Sequence, residues 1–187
     1  TTLTKEMIEK ADKCKIIARV GVGLDNVDQV AAKEKNIRVI NAAEGAMNAV
    51  AELVLGLMLS LARQTARGDR AIRNGQWLKN ELKGTELRGK YLGIVGLGNI
   101  GKRLGRLARA LNMNIIGYDV IPIDEEFAKE VGLMKADLDT LLQSSDYVSI
   151  HVPLLDSTYH LLNAQKMSTM KKTAKIINTS RGGVVDE

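Results

Sequence analysis

The sequence predicts an α/β fold, a doubly wound parallel sheet, on three observations. Short apolar runs at 91–95, 115–118, 147–150 and 175–178 alternate with segments of helical periodicity. Glycines 96, 98 and 101 sit between the first run and the helix after it. Asp119 ends the second run, eighteen residues beyond Gly101. Strands alternating with helices argue for parallel pairing, because each crossover returns the chain to the same end of the sheet.

The elements follow in order. A helix is expected over 5–12, a strand at 15–20, a short helix at 27–35 and a strand at 37–40. Residues 46–62 are apolar nearly all round, broken by Asn48, Glu52, Gly56 and Ser60. Glu52 leaves the uninterrupted run too short for a bilayer, which needs about 20 residues, so this helix is expected at a buried junction between domains or subunits. Residues 63–90 are polar, with glycines 68, 75, 84 and 89, and read as helix followed by loops, a connecting arm. Arg63, Arg67, Arg70 and Arg73 recur at helical spacing and are expected to share one solvated face. Lys102, Arg103, Arg106 and Arg109 form a second such set, opposite the apolar Ile100, Leu104, Leu107, Ala108 and Leu111. Residues 124–131 form a helix stopped at Gly132, and Asp137 and Asn163 cap two more.

Composition is that of an ordinary globular chain: 187 residues, 45% hydrophobic and 26% charged. The net charge of +5 comes from 27 basic against 22 acidic residues, and aromatics are 3%. That balance argues against a nucleic-acid partner. No signal-like start or spanning segment argues for a membrane, and the single Cys14, with no disulfide or metal partner, fits a reducing cytoplasmic address. No metal site is expected.

Gly96-x-Gly98-x-x-Gly101, between strand and helix, makes the sheet Rossmann-type. Gly96 permits the tight turn, Gly98 admits a pyrophosphate to the backbone, and Gly101 lets helix pack on strand. The helix start offers unpaired N–H groups to phosphates, with Asn99 and Ile100 supplying backbone. Asp119 suits the two hydroxyls of an adenosine ribose, and no Arg or Lys over 120–124 would neutralise a 2′-phosphate, which favours NAD over NADP. Ligands gather beyond the carboxyl ends of such strands, where His151, Val152 and Pro153 leave one and Thr179, Ser180 and Arg181 leave another. An arginine there can fork onto a carboxylate and polarise a neighbouring carbonyl.

RVGVGLDN at 19–26, AEL at 51–53, LARQ at 61–64, GTEL at 84–87, GIVGLGNIG at 93–101, IGYD at 116–119, HVPLL at 151–155 and NTSRGGVVDE at 178–187 together resemble the D-isomer-specific 2-hydroxyacid dehydrogenases, nearest the branch acting on D-3-phosphoglycerate. The resemblance implies a flavodoxin-like substrate domain, of which residues 1–41 would be a remnant. Residues 42–90 would be the interdomain and dimerisation helix and arm, and 91–187 the NAD-binding domain. It implies a small 2-hydroxy acid as substrate and a homodimer or higher homo-oligomer. It puts Val22 near the nicotinamide, has Gly21, Val22 and Gly23 hold the substrate carboxylate, and makes Arg181 the catalytic arginine that touches both substrate and cofactor. Gly96, Gly98, Asn99, Ile100, Gly101, Asp119, Val152, Thr179 and Ser180 would contact NAD. The family's catalytic glutamate and proton-donating histidine are expected beyond Glu187, and the first strands of the substrate domain before Thr1. His151 and His160 are therefore expected to be structural, and the chain alone inactive. Glyoxylate or hydroxypyruvate reduction, and an NAD-sensing corepressor-like role, are the alternatives.

Overall fold

The computed structural model describes residues 2–42 and 44–187; Thr1, the start of the expected substrate-domain remnant, and Ala43, in the expected arm, lie outside them. The chain divides into two compact units, Thr1–Asn48 and Ala49–Glu187.

In the first unit, helix α1 (Lys5–Glu9), strand β1 (Ile16–Arg19), helix α2 (Gln29–Glu34) and strand β2 (Arg38–Asn41) form one βαβ turn with a leading helix. The two strands pair in parallel, from Ile16 with Arg38 to Arg19 with Asn41. Both helices cover one face, where Ile8, Val27, Ala31, Ala32 and Ile37 are buried, with Cys14, Ile17 and Val39 packed against them. α2 starts where Asp28 accepts the Ala31 N–H at 2.9 Å, a side-chain cap on an otherwise unpaired amide. α1 is shorter than the expected 5–12, because the Lys35 ammonium takes the Glu9 carbonyl and the Asp12 carboxylate, drawing the chain off the helical path.

The second unit opens with α3 (Met47–Arg63), whose buried Ala51, Val54, Met58 and Ala62 repeat every three or four residues and join the core of the main sheet. Leu53, Leu57 and Leu61 run along another flank and are exposed. α4 (Thr65–Arg73) follows at a bend of 66°. Arg63 therefore does not share a face with Arg67, Arg70 and Arg73, as periodicity predicted. The break is at Gln64, left-handed at φ 55°, whose side chain donates to the Lys83 carbonyl. Arg67 and Arg73 are tied to Glu81 and Asp69. Among the described residues no single helix is long and apolar enough to cross a membrane.

Five strands build the sheet: β3 (Tyr91–Val95), β4 (Asn114–Tyr118), β5 (Leu133–Lys135), β6 (Tyr147–Ile150) and β7 (Lys175–Asn178). Their order is β5-β4-β3-β6-β7, all parallel. Between them run α5 (Asn99–Ala110), α6 (Glu125–Val131), α7 (Leu138–Ser144) and α8 (Ala164–Ser168). Leu92, Ile94, Ile115 and Tyr147 point into one core with Leu104, Ala108, Phe127 and Val131 of α5 and α6. Val95, Ile116, Val148 and Ile150 point into the other with Leu138, Leu141 and Leu142 of α7. A sheet covered on both faces needs such near-continuous apolar strands. Winding outward through β4 and β5, then back to β6 and β7, reverses direction between β3 and β6, where the crevice of such a sheet opens.

In the second basic set Arg106 and Arg109 are exposed, as the spacing suggested, but two of its members are tied down. Lys102 pairs with Asp124 at 2.9 Å and Arg106 forks onto Glu130 at 2.7 Å. Both cations lie over the Phe127 ring, at 5.8 and 5.3 Å, so they clamp α5 to α6 above a buried aromatic. Strand β5 was absent from the sequence reading. Three residues between the left-handed Gly132 and Ala136 carry no alternation, and they are strand because the edge of β4 pairs Ile115 with Leu133.

Candidate functional site

At the carboxyl end of β3, Gly96 takes φ +93° and donates its N–H to the Tyr118 carbonyl at 2.9 Å. Its missing Cβ would lie 2.9 Å from the His151 carbonyl, so a side chain there would drive β3 and β6 apart. A Cβ on Gly101 would meet the Gly96 carbonyl oxygen at 2.1 Å, which fixes how closely α5 presses onto the loop. Gly98 differs: a Cβ there finds nothing within 4 Å. The chain thus leaves room in front of Gly98, the residue that precedes α5 and gives it no side-chain cap. Asn99 and Ile100 open that helix, whose first-turn N–H groups lack intrahelical partners and carry the positive end of its dipole.

Asp119 leaves β4 beside this loop. Its Oδ2 accepts the Leu97 N–H at 2.6 Å and its Oδ1 the Ile121 N–H at 3.0 Å. A carboxylate has about four acceptor sites, so positions remain for two ribose hydroxyls. Val120 and Ile121 beyond it are exposed, and no cation stands in the 120–124 stretch.

On the other side of β3, His151 donates its N–H to the Val95 carbonyl at 2.8 Å, and its Nε2 lies 2.9 Å from Ser149 Oγ. Burial pushes the imidazole down to about 4, so it is neutral near pH 7 and holds the strand end. Half-buried Val152 follows, its Cγ1 3.0 Å from where a Cβ on Gly96 would stand.

Beyond β7 the side chain of Asn178 organises the next three residues. Its Oδ1 accepts from Ser180 N–H at 3.0 Å and Ser180 Oγ at 2.8 Å, and its Nδ2 donates to the Arg181 carbonyl at 2.8 Å. Thr179 Oγ1 is buried without a hydrogen-bond partner, a polar atom suited to a polar ligand. Arg181, half-buried, donates from Nη1 to the Ser180 carbonyl at 2.9 Å, and the 3₁₀ turn Gly182–Val184 then anchors through Val184 in the core. Sequence reasoning passed over Asn178; an Asn two residues before a Ser at a strand end was the available signal.

Gly96, Gly98, Asn99, Ile100, Gly101, Asp119, Val152, Thr179, Ser180 and Arg181 thus leave four neighbouring strands at one edge of the sheet. Gly21, Val22 and Gly23 follow β1 in the first unit, where Asn41 Nδ2 donates to the Val22 carbonyl. Among the described residues no group of three His, Cys, Asp or Glu could hold a metal ion. The space before Gly98, the free helix start, the strand-end carboxylate and the unpartnered Thr179 hydroxyl fit a dinucleotide.

Comparison with known proteins points the same way. The model of the D-isomer specific 2-hydroxyacid dehydrogenase NAD-binding domain matches residues 55–187. A hydroxypyruvate reductase of Thermotoga maritima is 46% identical over all of this chain and 60% of its own length. A D-3-phosphoglycerate dehydrogenase of Methanocaldococcus jannaschii is 44% identical over all of this chain and 36% of its own. The chain therefore spans less than two thirds of these relatives. The apo structure of D-mandelate dehydrogenase from Rhodotorula graminis superposes with a TM-score of 0.91 at 33% identity, over 98% of this chain and 56% of that one. With an NAD-binding domain matched over most of its length, and NAD as the cofactor that domain takes, the chain belongs to the D-isomer specific 2-hydroxyacid dehydrogenases.

Proposed function

We propose that the protein containing this chain oxidises D-3-phosphoglycerate to 3-phosphohydroxypyruvate with NAD. The observation that carries the reading is the edge where Gly98 leaves open space, Asp119 stands beside it, and Arg181 leaves β7 two strands away. The adenosine ribose would rest on Asp119, the pyrophosphate before Gly98 and the start of α5, and the nicotinamide end toward Val152 and Thr179. NAD, when bound, supplies the hydride acceptor. Arg181 would grip the substrate carboxylate with its guanidinium and draw electron density toward the oxygen of the reacting carbon. Asn178 keeps the Arg181 backbone in place for that task. Neutral His151, half-buried and paired with Ser149, orients the β6 end and moves no proton.

Reduction of hydroxypyruvate is the second reading, favoured by the 46% identical relative of that name. Both readings share a three-carbon 2-hydroxy acid or its keto partner. The exposed leucines of α3 support a further proposal, that a second copy of the chain covers them.

The test is steady-state turnover by the full-length protein with phosphoglycerate, glycerate and lactate as alternative substrates. The leading reading requires phosphoglycerate to have the highest kcat/KM, with Arg181→Lys lowering it about a hundredfold or more through loss of the forked grip. A preference for glycerate would transfer the assignment to the second reading.

A further inference from the structure

Asp119 is read as a ribose ligand, yet with no ligand present both of its oxygens are already engaged by backbone. Oδ2 takes the Leu97 N–H at 2.6 Å, and Oδ1 takes the Ile121 N–H at 3.0 Å. Leu97 is the residue between Gly96 and Gly98, and its side chain is buried in the sheet core. The loop is thereby fixed from two sides, by an apolar anchor below and a charge-assisted hydrogen bond above. The Gly96 N–H is bound in turn by the Tyr118 carbonyl, one residue before Asp119. Gly96 at φ +93° and Gly98 beside open space are flexible positions, and glycine loses the most freedom when fixed.

We propose that Asp119 is a positioning residue for the glycine loop: its carboxylate splints Leu97 to Ile121 and so pre-forms the pyrophosphate cradle before any ribose arrives. The proposal rests on the dinucleotide seating given above. The negative charge at this position then acts twice, once on ribose and once on the loop. Replacing Asp119 by a small neutral residue, as would be done to admit a 2′-phosphate, removes the splint along with the repulsion. Affinity for NAD and for NADP falls together.

An amide cannot replace the carboxylate, because its –NH2 would face one of the two N–H donors and leave that donor unpaired. Asp119→Asn therefore breaks one strut and Asp119→Ala both.

The discriminating probe is 2′,3′-dideoxyadenosine diphosphate, which carries the diphosphate and lacks both ribose hydroxyls. Its affinity for the purified chain, by calorimetry, is expected to fall about tenfold in Asp119→Ala and Asp119→Asn, the usual weight of a hydrogen bond to a charged group. Without ligand, amide exchange at Leu97 is expected to quicken about tenfold in Asp119→Ala, while Ile116 and Val148 keep their protection as the check on the fold. Affinity for the dideoxy probe within about twofold of the unsubstituted chain, with NAD weakened, would assign Asp119 to the ribose alone and overturn the splint. Unchanged exchange at Leu97 in Asp119→Ala would overturn it equally. Should Asp119→Ala lose the Ile116 and Val148 protection, Asp119→Asn decides by affinity for the dideoxy probe and by exchange at Leu97 and Ile121, one of which must quicken. If the unsubstituted chain binds neither NAD nor the probe, the dinucleotide seating fails, and Leu97 exchange still decides the splint.

Discussion

Gly98→Ala and Gly101→Ala add the same methyl group three residues apart and should have opposite consequences. At Gly101 the new carbon falls 2.1 Å from the Gly96 carbonyl oxygen, well inside the 3.0 Å that real Cβ atoms keep. The obstacle is backbone, so α5 must shift. Overpacking of this kind costs about 1–3 kcal/mol, and a unit of this size loses about 2–4 °C of Tm for each kcal/mol. At Gly98 the methyl meets no atom within 4 Å, and φ is −68°, an ordinary value for alanine. Reduced freedom of the unfolded chain contributes about 0.4–1 kcal/mol in favour of alanine, while alanine is a poorer helix cap than glycine by a comparable few tenths or more. The Tm of Gly98→Ala should accordingly stay within about 3 °C of the unsubstituted chain. Its affinity for NADH should nevertheless fall about thirtyfold or more, as the methyl fills the space for the pyrophosphate. Thermal unfolding by circular dichroism and NADH fluorescence titration measure the two quantities separately. If Gly98→Ala retained full affinity, the pyrophosphate would have to lie elsewhere and the reading of the loop would fall.

The half-buried imidazole of His151 gives a pH dependence of definite sign. Its value is lowered from 6.5 to about 4, so between those limits the unfolded chain binds a proton that the folded chain refuses, and stability drops as pH falls through that window. At 1.36 kcal/mol per unit the loss is about 3 kcal/mol and stops below about pH 4. His151→Gln should flatten the difference in a pair of urea titrations at pH 6.5 and 4.5, and equal slopes for both proteins would contradict the burial argument. Phe127→Ala, under the Lys102 and Arg106 clamp, should cost about 3–5 kcal/mol, read as a shifted denaturant midpoint; a change below about 1 kcal/mol would mean the ring is not the floor of that clamp.

Much of the nucleotide-binding half was legible because its signals are local. The runs at 91–95, 147–150 and 175–178 begin and end as expected, and Asp137 and Asn163 cap their helices by accepting the Thr140 and Lys166 N–H groups. The glycine motif and Asp119 were likewise readable by spacing. Features imposed by tertiary contact were not. Gln64 breaks a helix with no glycine or proline in sight, because Gly84 lies against the Ala62 carbonyl, where a Cβ would stand 2.6 Å away, and Thr85 donates to that same oxygen at 2.9 Å. β5 exists only because β4 has an edge to offer. The Leu97–Asp119 bond joins residues whose separation in sequence carries no pattern.

The place of β3 in the sheet has a consequence in time. Its first partner, β4, comes 23 residues later at Tyr91 with Asn114, whereas its second pairs Leu92 with Tyr147. Closing the longer loop is the slower event, so β3–α5–β4 can assemble while the far edge of β3, four residues of which will be wholly buried, still lacks its neighbour. An unpaired apolar edge is where chains aggregate. During refolding, the interval before β6 docks is when this protein is most exposed to its own kind, and dilution or lower temperature in that interval should raise recovery.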